Sequence, residues 1–286
     1  MGDRIFDAIV YAILVVVFLI VFFPLMYVVS TSFASARELA LNKFLIFPKH
    51  PTLEVYQYIF STSTFLRSMI VTIVITVVGT LVNLVMTCLM AYPLSRKALP
   101  GRSVIMTAVT FTLVFSGGMI PMYLVVNSLG LIDTYTSLIL PGAISSFNLI
   151  LVKNFFQEIP ESLIDAAQID GSSEMNTLAK IVLPLSKPAL ATFTMFYAVG
   201  HWNQFMQPLL YLNDSKKWTI QILLRQIVLM SQSGVGDEDA MPPGFVLPVK
   251  SLKMACIVVS TLPIIAAYPF MQKYFDKGVM SGSIKG

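Results

Sequence analysis

Charged residues are scarce in this chain of 286 residues, because Asp, Glu, Lys and Arg together make up only 12% of it. A soluble domain carries roughly 25% charged residues, whereas 56% of this sequence is hydrophobic. The composition therefore predicts an all-α polytopic membrane protein, a single domain over residues 1–286 with about six helical spans. The net charge of +4 is carried by scattered basic residues, which argues against a nucleic-acid partner.

Cysteine and the common catalytic motifs are also rare or missing. The two cysteines, Cys88 and Cys256, lie in apolar stretches, so we expect small core residues rather than disulfide or metal ligands. The sequence contains no GxxxxGK(S/T) phosphate loop and no HExxH or GxSxG pattern. We therefore expect no catalytic residue, no bound metal or cofactor, and no enzymatic activity in this chain.

Six apolar segments are each long enough to cross a hydrocarbon core of roughly 30 Å. A signal-peptide interpretation of the first segment, with cleavage near residues 32–36, is disfavoured because its apolar run of about 22 residues exceeds a signal h-region. The predicted spans are residues 8–29, 68–94, 103–126, 134–152, 188–212 and 254–272.

The charges of the short loops predict the orientation of these spans. The loop 95–102 carries Arg96, Lys97 and Arg102 and no acid, whereas the loop 127–133 carries no basic residue. Basic short loops lie on the cytoplasmic side, so the first loop is expected inside and the second outside. Six spans then place both termini in the cytoplasm and residues 234–244 outside a bacterial cell membrane.

None of the predicted spans contains Asp, Glu, Lys or Arg between its ends. Ion-coupled transporters place ionisable groups near mid-membrane, and here His201 is the one titratable candidate at depth. A stand-alone channel is an alternative, although no charged ring or filter sequence is visible. Uphill transport by this chain would therefore draw its energy from another subunit, docked on the cytoplasmic face.

Residues 157–185, which we call the coupling segment, join the fourth and fifth predicted spans. Pro160 can open a helix with two faces, and Asp170-Gly171 favours a sharp turn after it. Ser172 or Ser173 can cap a second helix that Pro184 ends. The expected apolar face holds Leu163, Ile164, Ala166 and Ala167, and the polar face holds Glu161, Asp165 and Gln168.

The charge of this segment indicates what it contacts. Every charged residue between Lys153 and Lys180 is acidic, whereas helices that lie on lipid usually present Lys and Arg to the headgroups. The pattern favours docking to a partner protein with basic groups over binding to the membrane surface.

The motif Asp165-Ala166-Ala167, followed by Gly171, Ile181 and Leu183-Pro184, resembles the EAA motif of ABC importer permeases, with Asp in place of the usual Glu. The stretches FSGGMIPMYLVVNSLGLIDTYTSLILP, FYAVGHWNQF and KGVMSGSIKG resemble the carbohydrate branch of these binding-protein-dependent permeases. Within that branch, the sequence is similar to the maltose-permease-like subunits and especially to the oligosaccharide permeases of Gram-positive bacteria. The resemblance covers nearly the whole chain.

This resemblance implies a six-span subunit that translocates a di- or oligosaccharide. Its implied partners are a homologous second permease, two copies of an ATPase that binds ATP and Mg²⁺, an exterior solute-binding protein and membrane lipid. The coupling segment would contain the coupling helix, which enters a cleft on the ATPase. The implied coupling residues are Glu161, Asp165, Ala166, Ala167, Asp170, Gly171, Ile181, Leu183 and Pro184.

A polar cluster in the fifth predicted span is the candidate substrate path. Trp202 and Asn203 lie about ten residues before the exterior end, roughly 15 Å into the membrane. An aromatic ring could stack on a sugar while amides bind its hydroxyls, or the cluster could form hydrogen bonds between helices. The candidates are His201, Trp202, Asn203, Gln204 and Gln207.

A second functional class stays open on the sequence alone. A membrane scaffold or assembly factor could recruit a cytoplasmic partner through the acidic coupling segment without transporting anything. Such a protein has no use for polar groups at depth in the fifth span, so those groups distinguish the two hypotheses.

Overall fold

A computed structural model describes residues 2–41, 46–233 and 248–283, and within these ranges it is helical with no β-strand. A π-helical turn covers Leu178–Val182 and a 3₁₀ turn covers Ser215–Lys217. The α-helices are α1 (Gly2–Ser32), α2 (Ala36–Leu41), α3 (Glu54–Ser61), α4 (Ser63–Ser95), α5 (Arg102–Val114), α6 (Met119–Ser128), α7 (Thr136–Ile139), α8 (Ser146–Gln157), α9 (Glu161–Ile169), α10 (Glu174–Thr177), α11 (Leu183–Leu185), α12 (Lys187–Trp202), α13 (Met206–Tyr211), α14 (Ile220–Ser233) and α15 (Val249–Ser283).

Three helical stretches are long and apolar enough to cross a membrane: Arg4–Ser32, Ser63–Ser95 and Val249–Pro269. They contain the first, second and most of the sixth predicted spans. Two bent helix pairs, α5 with α6 and α10–α11 with α12, raise the count to five if each pair is one span. The all-helical polytopic fold is therefore confirmed, while the exact number of six spans stays a prediction.

Three of the predicted spans are not continuous helices in the structure. The third span bends by 117° between α5 and α6, where Gly118 adopts φ +85°. The fourth consists of the four-residue α7 and then α8, because Pro141 lacks the N–H that a continuous helix needs and Gly142 follows it. The fifth stops at Trp202 and resumes at Met206.

The chain divides into two compact units. The first comprises residues 1–67 and 222–263. Its loop after α1 is held by the Glu38 carboxylate, which accepts the N–H groups of Lys49 at 2.8 Å and His50 at 2.9 Å. The Ser251 hydroxyl on α15 donates to the Ala34 carbonyl at 2.7 Å. The Ser251 bond ties α15 to the chain that follows α1.

The second unit, residues 68–221 and 264–286, contains both candidate sites. One of its apolar clusters packs α4, α5, α8 and α12 together around Leu94, Leu149 and Phe193. Leu178 and Val182 of the coupling segment belong to the same cluster. The coupling segment is therefore attached by apolar packing to the helices that lead into the membrane.

Both cysteines are buried free thiols, Cys88 in the second unit and Cys256 in the first, as the sequence predicts. Because both thiols are buried, they should react slowly with a labelling reagent. The orientation of the spans stays a prediction, and cysteine labelling can test it. The predicted exterior segment 234–244 lies outside the described residues, so the exposed Ser215 replaces it as the exterior probe.

In a background that lacks Cys88 and Cys256, we expect an impermeant maleimide to label Ser215→Cys in intact cells and to spare Ala98→Cys. Ala98 is exposed in the predicted cytoplasmic loop, so only the membrane protects it. Labelling of Ala98→Cys should appear once the cells are permeabilised. The reverse pattern in intact cells would invert the predicted topology.

Candidate functional site

Helix α9 begins where the sequence predicts, with Pro160 as the residue before its first turn. The Leu163 N–H bonds the Pro160 carbonyl at 3.2 Å. Glu161 lies in the first turn, where the helix dipole favours an acidic side chain. Local sequence therefore determines the start of this helix.

The apolar face predicted for α9 is divided in the structure, because only two of its four residues are buried. Ile164 is 3% exposed and Ala167 is 8% exposed, so these two face inward. Ala166 is exposed, and its neighbours on that side are Leu163 and Ile169, which is 86% exposed. Residues three apart lie on one side of a helix, so the free apolar stripe is Leu163, Ala166 and Ile169.

The turn after α9 is the sharp turn expected at Asp170-Gly171. The Gly171 N–H bonds the Gln168 carbonyl at 3.0 Å, and the Ser172 N–H bonds the Ala167 carbonyl at 2.9 Å. These two bonds form a Schellman motif, in which the residue after the helix adopts left-handed backbone angles. Gly171 has φ +75°, which a glycine adopts without a Cβ penalty.

The second helix of the coupling segment starts as predicted but does not end as predicted. Ser173 caps it by accepting the Asn176 N–H at 3.4 Å. The helical path continues through the π turn and α11 to Leu185 instead of ending at Pro184. Because Pro184 has no N–H to donate to the Lys180 carbonyl, the backbone shifts to a wider turn, with Leu183 N–H bonding Leu178 O.

The remaining motif residues take different positions. Asp165 and Asp170 are exposed on α9 and its end, and Pro184 is exposed. Ile181 and Leu183 are half-buried, and Leu183 packs on the apolar cluster that includes Leu178. Leu183 therefore helps to anchor the segment, while part of Ile181 stays exposed.

Glu174 connects the coupling segment to the end of α4. Its carboxylate accepts the Tyr92 hydroxyl at 2.5 Å and the Gln168 side-chain amide at 2.9 Å. Arg96 donates to the Tyr92 oxygen at 3.1 Å, and its guanidinium lies 5.0 Å from the Tyr92 ring centre. We call Tyr92, Arg96, Gln168 and Glu174 the clamp.

Sequence reasoning did not find the clamp. In the sequence, Arg96 bears only on the charge of its loop, and Glu174 is one of the acidic residues between Lys153 and Lys180. Tyr92 lies 82 residues from Glu174 in the chain, so no local pattern relates them. A tyrosine near the predicted cytoplasmic end of a long span is the one signal in the sequence, since its hydroxyl needs a polar partner when buried.

The second candidate site is a cavity of about 610 Å³, the polar groove, on the second unit. It contains four of the five residues predicted for the substrate path, and adds three that the sequence did not reveal. Its polar side chains come from α4, α8, α12 and the chain around them: Asn83, Ser145, Asn148, His201, Asn203, Gln204 and Gln207.

His201 is held in the polar groove by two neighbours on α4. Its Nε2 lies 3.1 Å from the Asn83 Oδ1, and the Asn83 amide donates to the Gly142 carbonyl at 2.9 Å. The imidazole lies against the backbone of Gly79, where a Cβ would come within 2.5 Å of Nε2. Only a glycine at position 79 leaves room for this ring.

Trp202 is the predicted path residue that the polar groove excludes. It is 6% exposed and does not line the cavity, while its carbonyl accepts the Gln221 side-chain amide at 3.2 Å. Phe196 lines the groove instead and is 46% exposed. Phe196 and Asn203 are seven residues apart and so share one side of α12 and its extension, whereas Trp202 lies on another side.

The Gln204 side chain can form a further hydrogen bond at the edge of the polar groove. Its amide nitrogen donates to the Leu138 carbonyl at 3.1 Å, while its buried oxygen interacts with the nearby His201 ring. An amide oxygen has two lone pairs, so this one can also accept a hydroxyl from a passing solute.

The broken spans meet at the polar groove and at a neighbouring cavity of about 400 Å³. The second cavity is lined by the break between α5 and α6, at residues 116–118, and shares Gly142, Gln204 and Gln207 with the polar groove. Non-helical backbone at membrane depth is tolerated where it is buried in protein or lines a water-filled cavity. The three breaks therefore lie beside two adjoining cavities that share lining residues.

The loops at the predicted exterior side are joined by Asp133, which adopts φ +61°. Its carboxylate accepts the N–H groups of Asn213 and Asp214 at 3.0 Å each and pairs with the Lys217 ammonium at 2.6 Å. The Lys217 bond and the backbone N–H bonds lower the pKa of Asp133 below its ordinary 3.8, and Asp133 raises the pKa of Lys217 above 10.5.

The sign of these shifts decides when the pair is present. A carboxyl group with a lowered pKa stabilises the fold fully at pH values above its ordinary pKa. This stabilisation is lost only as the pH falls through the lowered pKa. Because the pKa of Lys217 is raised, its ammonium group stays charged, and the ion pair persists, to a higher pH. The junction is therefore intact throughout the neutral range, although partial exposure and salt weaken it.

Comparisons with known proteins agree with this architecture. A family model described as "Binding-protein-dependent transport system inner membrane component" matches residues 1–281. The polygalacturonan/rhamnogalacturonan transport system permease protein YtcP of Bacillus subtilis (strain 168) is 50% identical over 286 residues, 100% of both chains. Protein LplC of the same organism is 54% identical over 263 residues, 92% of this chain and 89% of that one.

One solved structure is similar over nearly the whole chain. It is a bacterial ABC transporter involved in the import of the acidic polysaccharide alginate. The matching chain is 31% identical and superposes with a TM-score of 0.90, covering 96% of this chain and 98% of that chain.

Proposed function

We propose that this chain, which belongs to the family of binding-protein-dependent transport system inner membrane components, conducts an oligosaccharide through the membrane along the polar groove. It is a non-enzymatic permease of an ABC importer for sugars, a multi-pass membrane protein that works with a solute-binding protein. The observation that carries the proposed path is the meeting of three broken spans and seven neutral polar side chains in one region.

We propose further that the substrate is an acidic oligosaccharide, built of uronate sugars. The described residues that line the polar groove and its neighbouring cavity include amides, hydroxyls and His201 but no Asp or Glu. A carboxylate on the path would repel a uronate, whereas amide N–H groups can donate to it. The names of YtcP and of the alginate transporter also specify acidic polysaccharides.

Uptake in cells tests the substrate class. A strain that lacks this chain, complemented with the wild-type gene, should regain uptake of labelled oligogalacturonides and should not regain uptake of malto-oligosaccharides of equal length. The ligand preference of the cognate binding protein should show the same order. Preferential uptake of the neutral sugar would overturn the uronate assignment and leave the permease role in place.

We propose that the energy comes from two ATPase subunits, which bind ATP and Mg²⁺, and that a homologous second permease completes the path. The exposed stripe Leu163–Ala166–Ile169, bordered by Asp165 and Asp170, provides an apolar contact with an acidic margin. A cytoplasmic ATPase with a complementary basic cleft would bind it. The alternatives of a scaffold and a stand-alone channel leave either the polar groove or this stripe without a role.

The clamp should transmit movement of the coupling segment to α4. Replacing Tyr92 by Phe removes the bonds to Glu174 and Arg96 while keeping the ring. Because Glu174 is exposed, we expect a loss of about 0.5–1.5 kcal/mol, and hence about a 2- to 10-fold lower uptake per ATP hydrolysed. Assembly should stay normal, since the apolar packing of the segment is untouched.

The measurement is ATP hydrolysis and uptake by the same reconstituted complex, with and without loaded binding protein. Tyr123→Phe is the matched control, because the Tyr123 ring packs on Tyr211 at 6.1 Å and lies outside the clamp. An unchanged ratio of uptake to hydrolysis in Tyr92→Phe would show that the clamp does not couple the two.

A further inference from the structure

A third cavity lies on the second unit and measures about 630 Å³. It runs along α5, which packs against α8. Arg102 and Lys153 supply its two charged groups, and Phe111, Val114 and Phe115 line its other end. We call it the α5 groove. It shares no lining residue with the polar groove.

Lys153 is the unusual member of the α5 groove. Its side chain is only 8% exposed, yet it lines the cavity and forms no hydrogen bond or ion pair with the described residues. The stem of Lys153 is buried while its charged end lines the cavity, as long basic side chains often do. The groove therefore presents an unpaired positive charge where an anion from outside the chain can reach it.

Arg102 adds a second cation to the same end of the groove. Its Nε donates to the Leu94 carbonyl at 2.8 Å, and a guanidinium has further N–H groups to offer. The described lining residues include no Asp or Glu that could neutralise either cation. Two positive charges that face one cavity repel each other unless an anion lies between them.

The rest of the groove matches an acyl chain in its length and in the apolar character of its far end. From Arg102 to Val114, α5 spans 13 residues, or roughly 20 Å at about 1.5 Å per residue. One leaflet of the hydrocarbon core measures roughly 15 Å. The side chains that line the cavity change along this length from charged, through Thr107 and Thr110, to aromatic and aliphatic.

We propose that the α5 groove binds an anionic phospholipid of the cytoplasmic leaflet, with the phosphate at Arg102 and Lys153 and an acyl chain along α5. Basic pockets between membrane helices on the cytoplasmic side recognise such headgroups. The site has a route to the proposed coupling segment, because Arg102 bonds the Leu94 carbonyl at the end of α4 that carries Tyr92 of the clamp. Lipid bound here stiffens the connection between the coupling segment and α4.

The test uses the assembled transporter, purified in detergent and analysed for co-purifying lipid by mass spectrometry. We expect wild-type complex to retain phosphatidylglycerol over phosphatidylcholine. Lys153→Gln should reduce the retained phosphatidylglycerol about fivefold or more, the change expected for one basic contact. Lys97→Gln, at an exposed cation of the neighbouring loop, should retain the wild-type amount, and Lys153→Arg should restore most of the binding.

Reconstitution supplies a second readout that a folding defect cannot imitate. In nanodiscs of phosphatidylcholine with phosphatidylglycerol, uptake-coupled ATP hydrolysis of the wild type should exceed that in pure phosphatidylcholine. Lys153→Gln should hydrolyse ATP at the same rate in both. A wild type that is insensitive to phosphatidylglycerol and retains none of it overturns the proposal.

Two other outcomes also overturn it. Equal protection by inorganic phosphate and by phosphatidylglycerol vesicles against heat would mean that an anion is bound without its lipid chain. Loss of the second permease from the Lys153→Gln complex, with unchanged lipid retention, would mean that an acidic side chain of that subunit fills the groove.

Discussion

Replacing Gly171 by Val is expected to abolish uptake and to release the ATPase, while the permease remains in the membrane at near-normal levels. Gly171 has φ +75°, and a Cβ built there meets no atom within 4 Å. The penalty therefore comes from the backbone itself, on the order of 1–3 kcal/mol for a residue held in that region. If the turn opens, α9 meets the ATPase at a different angle.

The measurement is the amount of ATPase recovered per mole of inserted permease, followed by transport. A cost of that size corresponds to about a 5- to 150-fold loss of affinity. Gly171→Asn is the matched control and should lose much less, because Asn tolerates left-handed backbone angles better than a β-branched residue does. Equal ATPase retention in the wild type and Gly171→Val would exclude the segment as the coupling site.

The neighbouring alanines separate docking from folding in the same assay. Ala166→Trp enlarges an exposed position of the stripe, so it should block the ATPase without disturbing α9. Ala167→Trp enlarges a buried one, and overpacking there costs roughly 1–3 kcal/mol of the segment's own stability. Intact ATPase binding in Ala166→Trp would show that the partner uses another face.

Phe196→Ala is expected to reduce uptake while leaving assembly intact, and Trp202→Ala to impair assembly. Phe196 presents a half-exposed ring to the polar groove, and aromatic contacts of this kind contribute about 0.5–1.5 kcal/mol, or roughly a 2- to 10-fold change in uptake. Trp202 is 6% exposed, and removal of a buried Trp side chain costs about 3–5 kcal/mol.

The two variants need two measurements each, the yield of assembled complex and the uptake per assembled complex. Phe196→Tyr is the conservative control, since it keeps the aromatic face, and should transport at near the wild-type rate. Normal assembly of Trp202→Ala with lost uptake would place Trp202 on the path, and the face assigned to the groove would be wrong.

Several features could be predicted from short stretches because their causes are local. The helix start after Pro160, the turn at Asp170-Gly171 and the cap at Ser173 each depend on a residue's own backbone preferences and nearest hydrogen bonds. The three long apolar helices follow from hydropathy in the same way. The EAA-like spacing and the polar residues after Gly200 likewise indicate both candidate sites from the sequence alone.

The breaks in three of the predicted spans were not predictable from hydropathy. Gly117-Gly118, Pro141-Gly142 and residues 203–205 sit in apolar runs that pass every length test, and Gly and Pro also occur in continuous membrane helices. A break is stable only if neighbouring segments satisfy the freed backbone groups or enclose them in a cavity. The Asn83 amide on the Gly142 carbonyl, 59 residues away, supplies one such bond.

The sequence by itself determined that this chain is a helical membrane protein, where its coupling segment turns, and which residue types stand at membrane depth. Only the tertiary structure decided which sides of the helices face inward: Ala167 rather than Ala166, and Trp202 rather than Phe196. The physical reason is that a helix sets the relative angle between its residues, about 100° for each step. Its rotation about its own axis is set by the neighbours against which it packs, and those neighbours are distant in the chain.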